Sequence, residues 1–192
     1  NFINHFSKKD QSFISYQKWI ANVESKLFTK ILNKKNYLLN NFITLSVNKV
    51  KSFPQDKWLL FCEDDFAFDD KAEKILSYYL SSNQDINILY TDEDIIDKNK
   101  KRYNPYFKDS WNKELFFTNI NYSGTWIINS NLWNKAFINT RNLNYKNQFL
   151  RVLLECIYIL EKDQNFKNKV YHLPLILSHK FQSSRKKEIS KY

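Results

Sequence analysis

Carboxylates are the side chains with the clearest chemical potential in this chain, and they come in two runs. The first closes Trp58-Leu-Leu-Phe-Cys-Glu-Asp-Asp65, and the second closes Tyr90-Thr-Asp-Glu-Asp94. Each apolar stretch passes into acids without a break. A strand buried inside an α/β sheet is apolar throughout, and such sheets bind ligands beyond the carboxyl ends of their strands. Acids at that edge hold a divalent cation or accept a proton. On a protein of net charge +10, they point to metal-assisted chemistry on an anionic substrate. The candidates are Asp64 and Asp65 from the first run, and Asp92, Glu93 and Asp94 from the second.

Positioning these acids requires strands separated by helices. Residues 11–32 carry apolar side chains at helical spacing, among them Phe13, Tyr16, Ile20, Leu27, Phe28 and Ile31, which predicts an amphipathic helix. Leu38 to Val50 reads as a second helix, stopped by Pro54. Trp58–Cys62 and Ile86–Tyr90 read as buried strands. The helix between them starts at Asp69-Asp70, so the two strands are expected to form a parallel pair with a right-handed crossover. Residues 98–106 form a polar loop or hairpin, and Asn112–Phe117 a short helix. Thr125–Ile128 is a strand, and Asn129 and Ser130 cap the helix that follows. Gln148–Leu160 is the most apolar helix. Val170–Leu177 is a last strand, placed at an edge or end by Pro174.

Composition narrows the function classes. A chain of 192 residues, 43% hydrophobic, suits one core. Glycine occurs once, at Gly124, where average usage predicts roughly 13; glycine-rich phosphate cradles are therefore excluded. The lysines are scattered, with tight basic runs only at Lys98–Arg102 and Arg185–Lys187, and no zinc spacing accompanies them. That argues against a nucleic-acid module and leaves a solvated basic face or an anionic membrane surface. Cys62 and Cys156 read as reduced core thiols of a cytoplasmic protein, and no apolar run reaches the ~20 residues that span a bilayer. No Met occurs, even at position 1, so the chain is expected to be part of a longer product.

Six segments occur in one order: Phe61-Cys-Glu-Asp-Asp65, Tyr90-Thr-Asp-Glu-Asp-Ile95, Pro105-Tyr-Phe-Lys108 with Trp111, Asn121-Tyr-Ser-Gly124, Leu150-Arg151, and His172-Leu-Pro174 followed by His179. Together they resemble the bacterial family 2 glycosyltransferases of the GT-A fold, especially rhamnosyltransferase-like and O-antigen enzymes. The likeness covers roughly residues 36–184. Tyr16, Trp19 and Glu24 resemble a helix that precedes the domain in such proteins. The resemblance implies an α/β fold, namely a reduced GT-A-like, mostly parallel sheet flanked by helices. An N-terminal helical extension (residues 1–35) would precede it, and a basic tail (185–192) would follow. It implies inverting transfer of a sugar from a nucleotide-sugar donor to a glycan or lipid-linked glycan acceptor, at the cytoplasmic side of a membrane, with Mg or Mn. Asp64 and Asp65 would bind the donor, and Asp64 and His179 the metal. Asp92, Glu93 and Asp94 would line the catalytic cleft, with Tyr122, Gly124 and Trp126 on the acceptor side.

The chain departs from that pattern. Cys62 stands where the first metal-binding carboxylate belongs, and a thiol is a poor ligand for hard cations. Tyr145 and Asn147 fall where the general base and a second acid are expected, leaving Glu155 as a substitute. Nothing between Glu24 and Trp58 reads as the opening strand of the donor-binding half, so that half is lost or supplied by a partner subunit. A degenerate, non-catalytic homologue binding a glycan or partner is therefore the competing expectation. Each site residue also has a plainer reading. Asp64 and Asp65 would cap a turn, Asp92–Asp94 would be a solvated acidic turn, and His179 a structural histidine. Tyr122, Trp126, Tyr16 and Trp19 would be packing aromatics.

Overall fold

The computed structural model describes residues 13–34, 41–118, 124–142, 147–162 and 169–182. The chain opens with α1 (Phe13–Trp19), a π-helical turn (Ile20–Glu24) and α2 (Ser25–Leu32). Then follow β1 (Phe42–Ser46), β2 (Trp58–Cys62), β3 (Phe66–Phe68), α3 (Ala72–Ser82), β4 (Ile88–Ile96) and β5 (Arg102–Tyr106). The rest is α4 (Lys113–Thr118), β6 (Thr125–Asn129), α5 (Ser130–Thr140), α6 (Gln148–Glu161) and β7 (Val170–Phe181). The basic tail expected at 185–192 lies outside the described residues.

The α/β class is as the sequence implies, but the seven-stranded sheet is mixed. Its order is β1-β2-β6-β4-β7-β3, with β5 also on β4. Only β1–β2 and β4–β7 pair in parallel. The expected pairing of Trp58–Cys62 with Ile86–Tyr90 does not form, because β6 runs antiparallel between β2 and β4. Since β6 is antiparallel to both, β2 and β4 still point the same way. Thr125–Ile128 is buried throughout, as a central strand covered on both faces must be.

Alternating side chains feed two cores. Leu59, Phe61, Ile88, Tyr90, Trp126 and Ile128 pack against α5 and α6. Leu60, Leu89, Ile127, Leu173 and Leu177 face α2 and α3. Phe28 and Ile31 of α2 are buried in that second core, so the N-terminal helices share the body of the protein. Helix starts follow local chemistry: the side chains of Asn129 and Asn147 accept hydrogen bonds from Asn131 N (2.9 Å) and Leu150 N (3.0 Å). Helix α3 begins at Ala72, two residues after the expected Asp69-Asp70 start. Asp69 Oδ1 instead accepts from Lys71 N at 2.8 Å, closing the turn before it.

Two further expectations are overturned. Among the described residues of the expected second helix, 41–50 are not helical, and Phe42–Ser46 is strand β1, parallel to β2. Its five residues, Phe-Ile-Thr-Leu-Ser, are mostly aromatic or β-branched and lose little by extending, whereas a helix that short is marginal. A strand therefore does precede Trp58. The second strand is also longer than its apolar part: β4 runs on through Thr91-Asp-Glu-Asp94 to Ile96. Its acids lie inside the sheet, because β7 and β5 pair with that half of the strand.

Phe61 is the keystone of the first core. It is fully buried, with ring centroids 4.4 Å from Trp133 and 5.0 Å from Phe149. Phe61→Ala is expected to lower the unfolding free energy by about 3–5 kcal/mol in a chemical denaturation curve; a loss under about 1 kcal/mol would contradict this packing.

Candidate functional site

The first acidic run does stand at the carboxyl end of a strand. Beyond β2, a cleft of about 480 Å³ is lined by Val47, Glu63, Asp64, Asp65, Gly124, Trp126, Asn147 and Phe149. Adjacent β1 shapes one wall. Ser46 Oγ donates to Asp64 Oδ1 at 2.7 Å, and Asn48 Nδ2 donates to Asp64 Oδ2 at 3.0 Å. Two donors thus fix the exposed Asp64 carboxylate without neutralising it. Asp65 is half exposed, with Lys180 Nζ at 3.4 Å, a contact that water weakens.

Gly124 joins the two acidic runs. Its N–H donates to Glu63 Oε1 and its carbonyl accepts from Glu63 N, both at 3.1 Å. Its φ is +107°, and a Cβ here would meet Glu93 Oε2 at 2.4 Å and Phe66 Cε1 at 3.1 Å. The one glycine therefore sits where backbone, Glu63 and Glu93 converge, and no larger residue fits. Glu93 forms a buried ion pair with Lys108, Nζ to Oε2 at 2.8 Å. Burial pushes its carboxyl above the usual range, and Lys108 opposes that push.

Asp92 and Asp94 are placed differently. Asp92 Oδ1 lies 2.7 Å from His172 Nε2 and accepts from Lys108 N at 2.9 Å; the His172 ring stacks on Tyr90 at 5.0 Å. The Asp94 side chain has no exposed surface. It accepts from Tyr16 Oη at 2.5 Å and Arg102 Nε at 2.6 Å, and its Oδ1 lies 2.5 Å from His179 Nδ1. Arg102 also forks onto Glu24, at 2.6 and 2.9 Å. Of the three acids in this run, only Glu93 reaches the glycine that lines the cleft. Asp92 and Asp94 are held in buried ion pairs, and the cleft lining named above does not include them. Neither are they a solvated turn.

His179 is likewise internal. Its Nε2 lies 3.4 Å from Asp69 Oδ2 while Nδ1 faces Asp94. Both ring nitrogens are therefore engaged by carboxylates. Burial alone would favour the neutral ring, but hydrogen bonds to Asp69 and Asp94 outweigh it and push the pKa up to about 9. Burial also works against the Asp69 charge, and His179 and the Lys71 N–H outweigh that, holding the carboxyl below its usual value. Arg102 stays charged because Glu24 and Asp94 more than offset its burial.

The remaining donors decide how a metal would fit. Burial, with Asp64 beside it, pushes the Cys62 thiol up, and its Sγ donates to Leu45 O at 3.6 Å; a protonated thiol is no ligand for Mg or Mn. Asp64 and Asp65 are hard oxygen donors at an open cleft. They are the kind of donor that would suit a hydrated divalent cation. Trp126 contributes to the cleft from a buried position, packed on Tyr90 at 5.5 Å. Tyr122 and Tyr145 lie outside the described residues.

Reading the sequence missed Glu63, Ser46 and Asn48. Glu63 directly follows β2 and carries the same signal as its two neighbours. The other two were hidden by reading β1 as helix; the extended, β-branched Phe42–Ser46 was the available clue. No protein-family model matches the chain, and no curated protein does.

Two measurements check this geometry. Gly124→Ala should destabilise the fold by roughly 2 kcal/mol or more, through positive φ and the Glu93 clash; an unchanged denaturation midpoint would refute the close approach. The second concerns pH. An unfolded histidine loses its proton near 6.5, whereas folded His179 keeps it to about 9. Its stabilisation is thus complete below about pH 6.5 and lost as pH rises through about 9, amounting to roughly 3 kcal/mol. Melting temperature should fall over that window, and His179→Gln should flatten the fall.

Proposed function

We propose that this protein is a glycosyltransferase-like transferase. Its cleft would take a nucleotide-sugar donor and a surface-glycan acceptor. The observation that carries the reading is the fixed, exposed Asp64 beside Asp65 at the carboxyl end of β2, opening onto a cleft large enough for a sugar. The named lining residues of this cleft are acids, apolar side chains, one amide and one glycine, with no basic residue among them. A diphosphate ligand would therefore need an accompanying cation, while sugar hydroxyls would find acceptors directly. The order of motifs described above supports the same class.

In this reading Asp64 and Asp65 would hold a divalent metal and orient the donor. When bound, the metal neutralises charge on the leaving diphosphate. The acceptor oxygen forms its bond to the anomeric carbon as the bond from that carbon to the diphosphate oxygen breaks, inverting the centre. The acceptor proton passes to a carboxylate. Glu63 lines the cleft, so it would take the place of the base that the resemblance leads one to expect. Gly124 and Trp126 line the cleft on what would be its acceptor side.

A second reading has its own support. Asn147 stands at the family's second acid and spends its side chain capping α6, while Cys62 replaces the first metal carboxylate. A non-catalytic homologue that retains the cleft for a glycan would carry both changes.

The test is thermal stability with UDP, GDP and dTDP, with and without Mn or Mg. A ligand at ~100 times its Kd stabilises by about 2.7 kcal/mol. A metal-dependent rise with one nucleotide, absent in Asp64→Asn, is the expected result. Glycan-induced stabilisation with no response to any nucleotide would favour the second reading instead.

A further inference from the structure

A second cavity, of about 120 Å³, lies where the end of α5 meets the start of α6. Its polar lining is Thr140, Arg141, Gln148 and Arg151, while Val50, Phe137 and Val152 supply apolar walls. α6 presents Gln148, Arg151 and Val152 at spacings of three and four residues, which puts them on one helical face. Arg141 closes α5 and is exposed. Two guanidiniums thus line one small cavity, and no carboxylate is among the described residues around it. Glu155, one turn beyond Arg151, accepts from Asn139 Nδ2 at 2.9 Å and is not part of the lining. The acidic cleft beyond β2 shares no described lining residue with this cavity.

We infer that this cavity is a binding site for a phosphate group, separate from the acidic cleft. Charge, donors and size select that ligand. A recess lined by one sign of charge against apolar walls concentrates counter-ions. Guanidinium N–H groups form a planar fork that matches phosphate oxygens, and a tetrahedral anion accepts such forks from two sides. Arg151 also has contacts within the protein, but its guanidinium carries five donors and serves the cavity alongside them. Thr140 Oγ1 donates to Ala136 O at 2.9 Å, which leaves the two arginines and the Gln148 amide as the donors. Set against the ~30 Å³ that a water occupies in the liquid, the cavity has room for about four waters. That suits a phosphate group and is too little for a hexose or a nucleoside. The inference stands on this cavity alone and does not rest on the transferase reading.

Melting temperature and phosphorus NMR line width test it, with sodium phosphate compared against chloride and acetate at equal ionic strength. Phosphate should raise the melting temperature beyond either control, and its resonance should broaden on adding the protein. Glycerol phosphate in a parallel titration separates the sources: tighter binding than phosphate marks an esterified group, and weaker binding marks the free ion. Arg141→Gln should weaken binding at least about tenfold and, at an exposed position, keep the parent melting temperature in chloride. Lys26→Gln removes one positive charge from an exposed position of α2 and should bind as the parent does. Arg151→Gln should also lose binding; Arg151 is half-buried, so Arg141→Gln decides the matter if that variant does not fold. The inference is overturned by a response no greater than that to chloride or acetate, by binding unchanged in Arg141→Gln, or by binding lost equally in Lys26→Gln. Asp64→Asn should keep the phosphate response while losing the metal-dependent nucleotide response, so the two readings fail separately; loss of the phosphate response in that variant would place the ion in the cleft and overturn the inference.

Discussion

The fold turns on one buried carboxylate. Asp94 has no exposed side-chain surface, yet it is surrounded by Tyr16 from α1, Arg102 from β5 and His179 from β7. A lone charge in that position would cost several kcal/mol, and it persists because each oxygen is paired and hydrogen-bonded. Those partners come from an N-terminal helix, a hairpin strand and the last strand, so satisfying one carboxylate brings three distant parts of the chain together. Glu24 extends the network from the other side. The π-helical turn Ile20–Glu24 turns it inward to the Arg102 fork, consistent with π turns re-aiming side chains.

This arrangement separates structural acids from accessible ones. Asp92, Asp94 and Asp69 are committed to histidines and backbone donors. Glu63, Asp64 and Asp65 are left at the cleft, where Ser46 and Asn48 position a charge without cancelling it. Glu93 stands between the groups, buried against Lys108 and touching the one glycine. A protein of net positive charge thereby keeps three acids at one cleft, with Lys180 beside Asp65.

Much of this was legible from residue order. Helix α5 announced itself by its Asn129 and Ser130 cap, α6 by its periodic apolar residues, and β2 by an apolar run ending in acids. The cleft at the end of β2 followed from those signals. The Tyr90–Asp94 run misled because the same pattern, apolar residues then acids, has two physical outcomes. Acids end a strand when only water can satisfy them. They continue it when partners such as His172, His179 and Arg102 arrive from elsewhere in the chain.

The sequence by itself determined the local matters: which segments are apolar enough to be buried strands, where helices begin, and that Gly124 alone could accept a crowded, positive-φ position. These depend on a residue and its near neighbours. Tertiary structure alone decided that β6 separates β2 from β4, that Phe42–Ser46 extends as an edge strand, and which carboxylates remain in water. The His179–Asp94 contact spans 85 residues of chain, and Tyr16–Asp94 spans 78. Contacts over such separations leave no local signature, because burial and partner geometry, rather than propensity, set their energy.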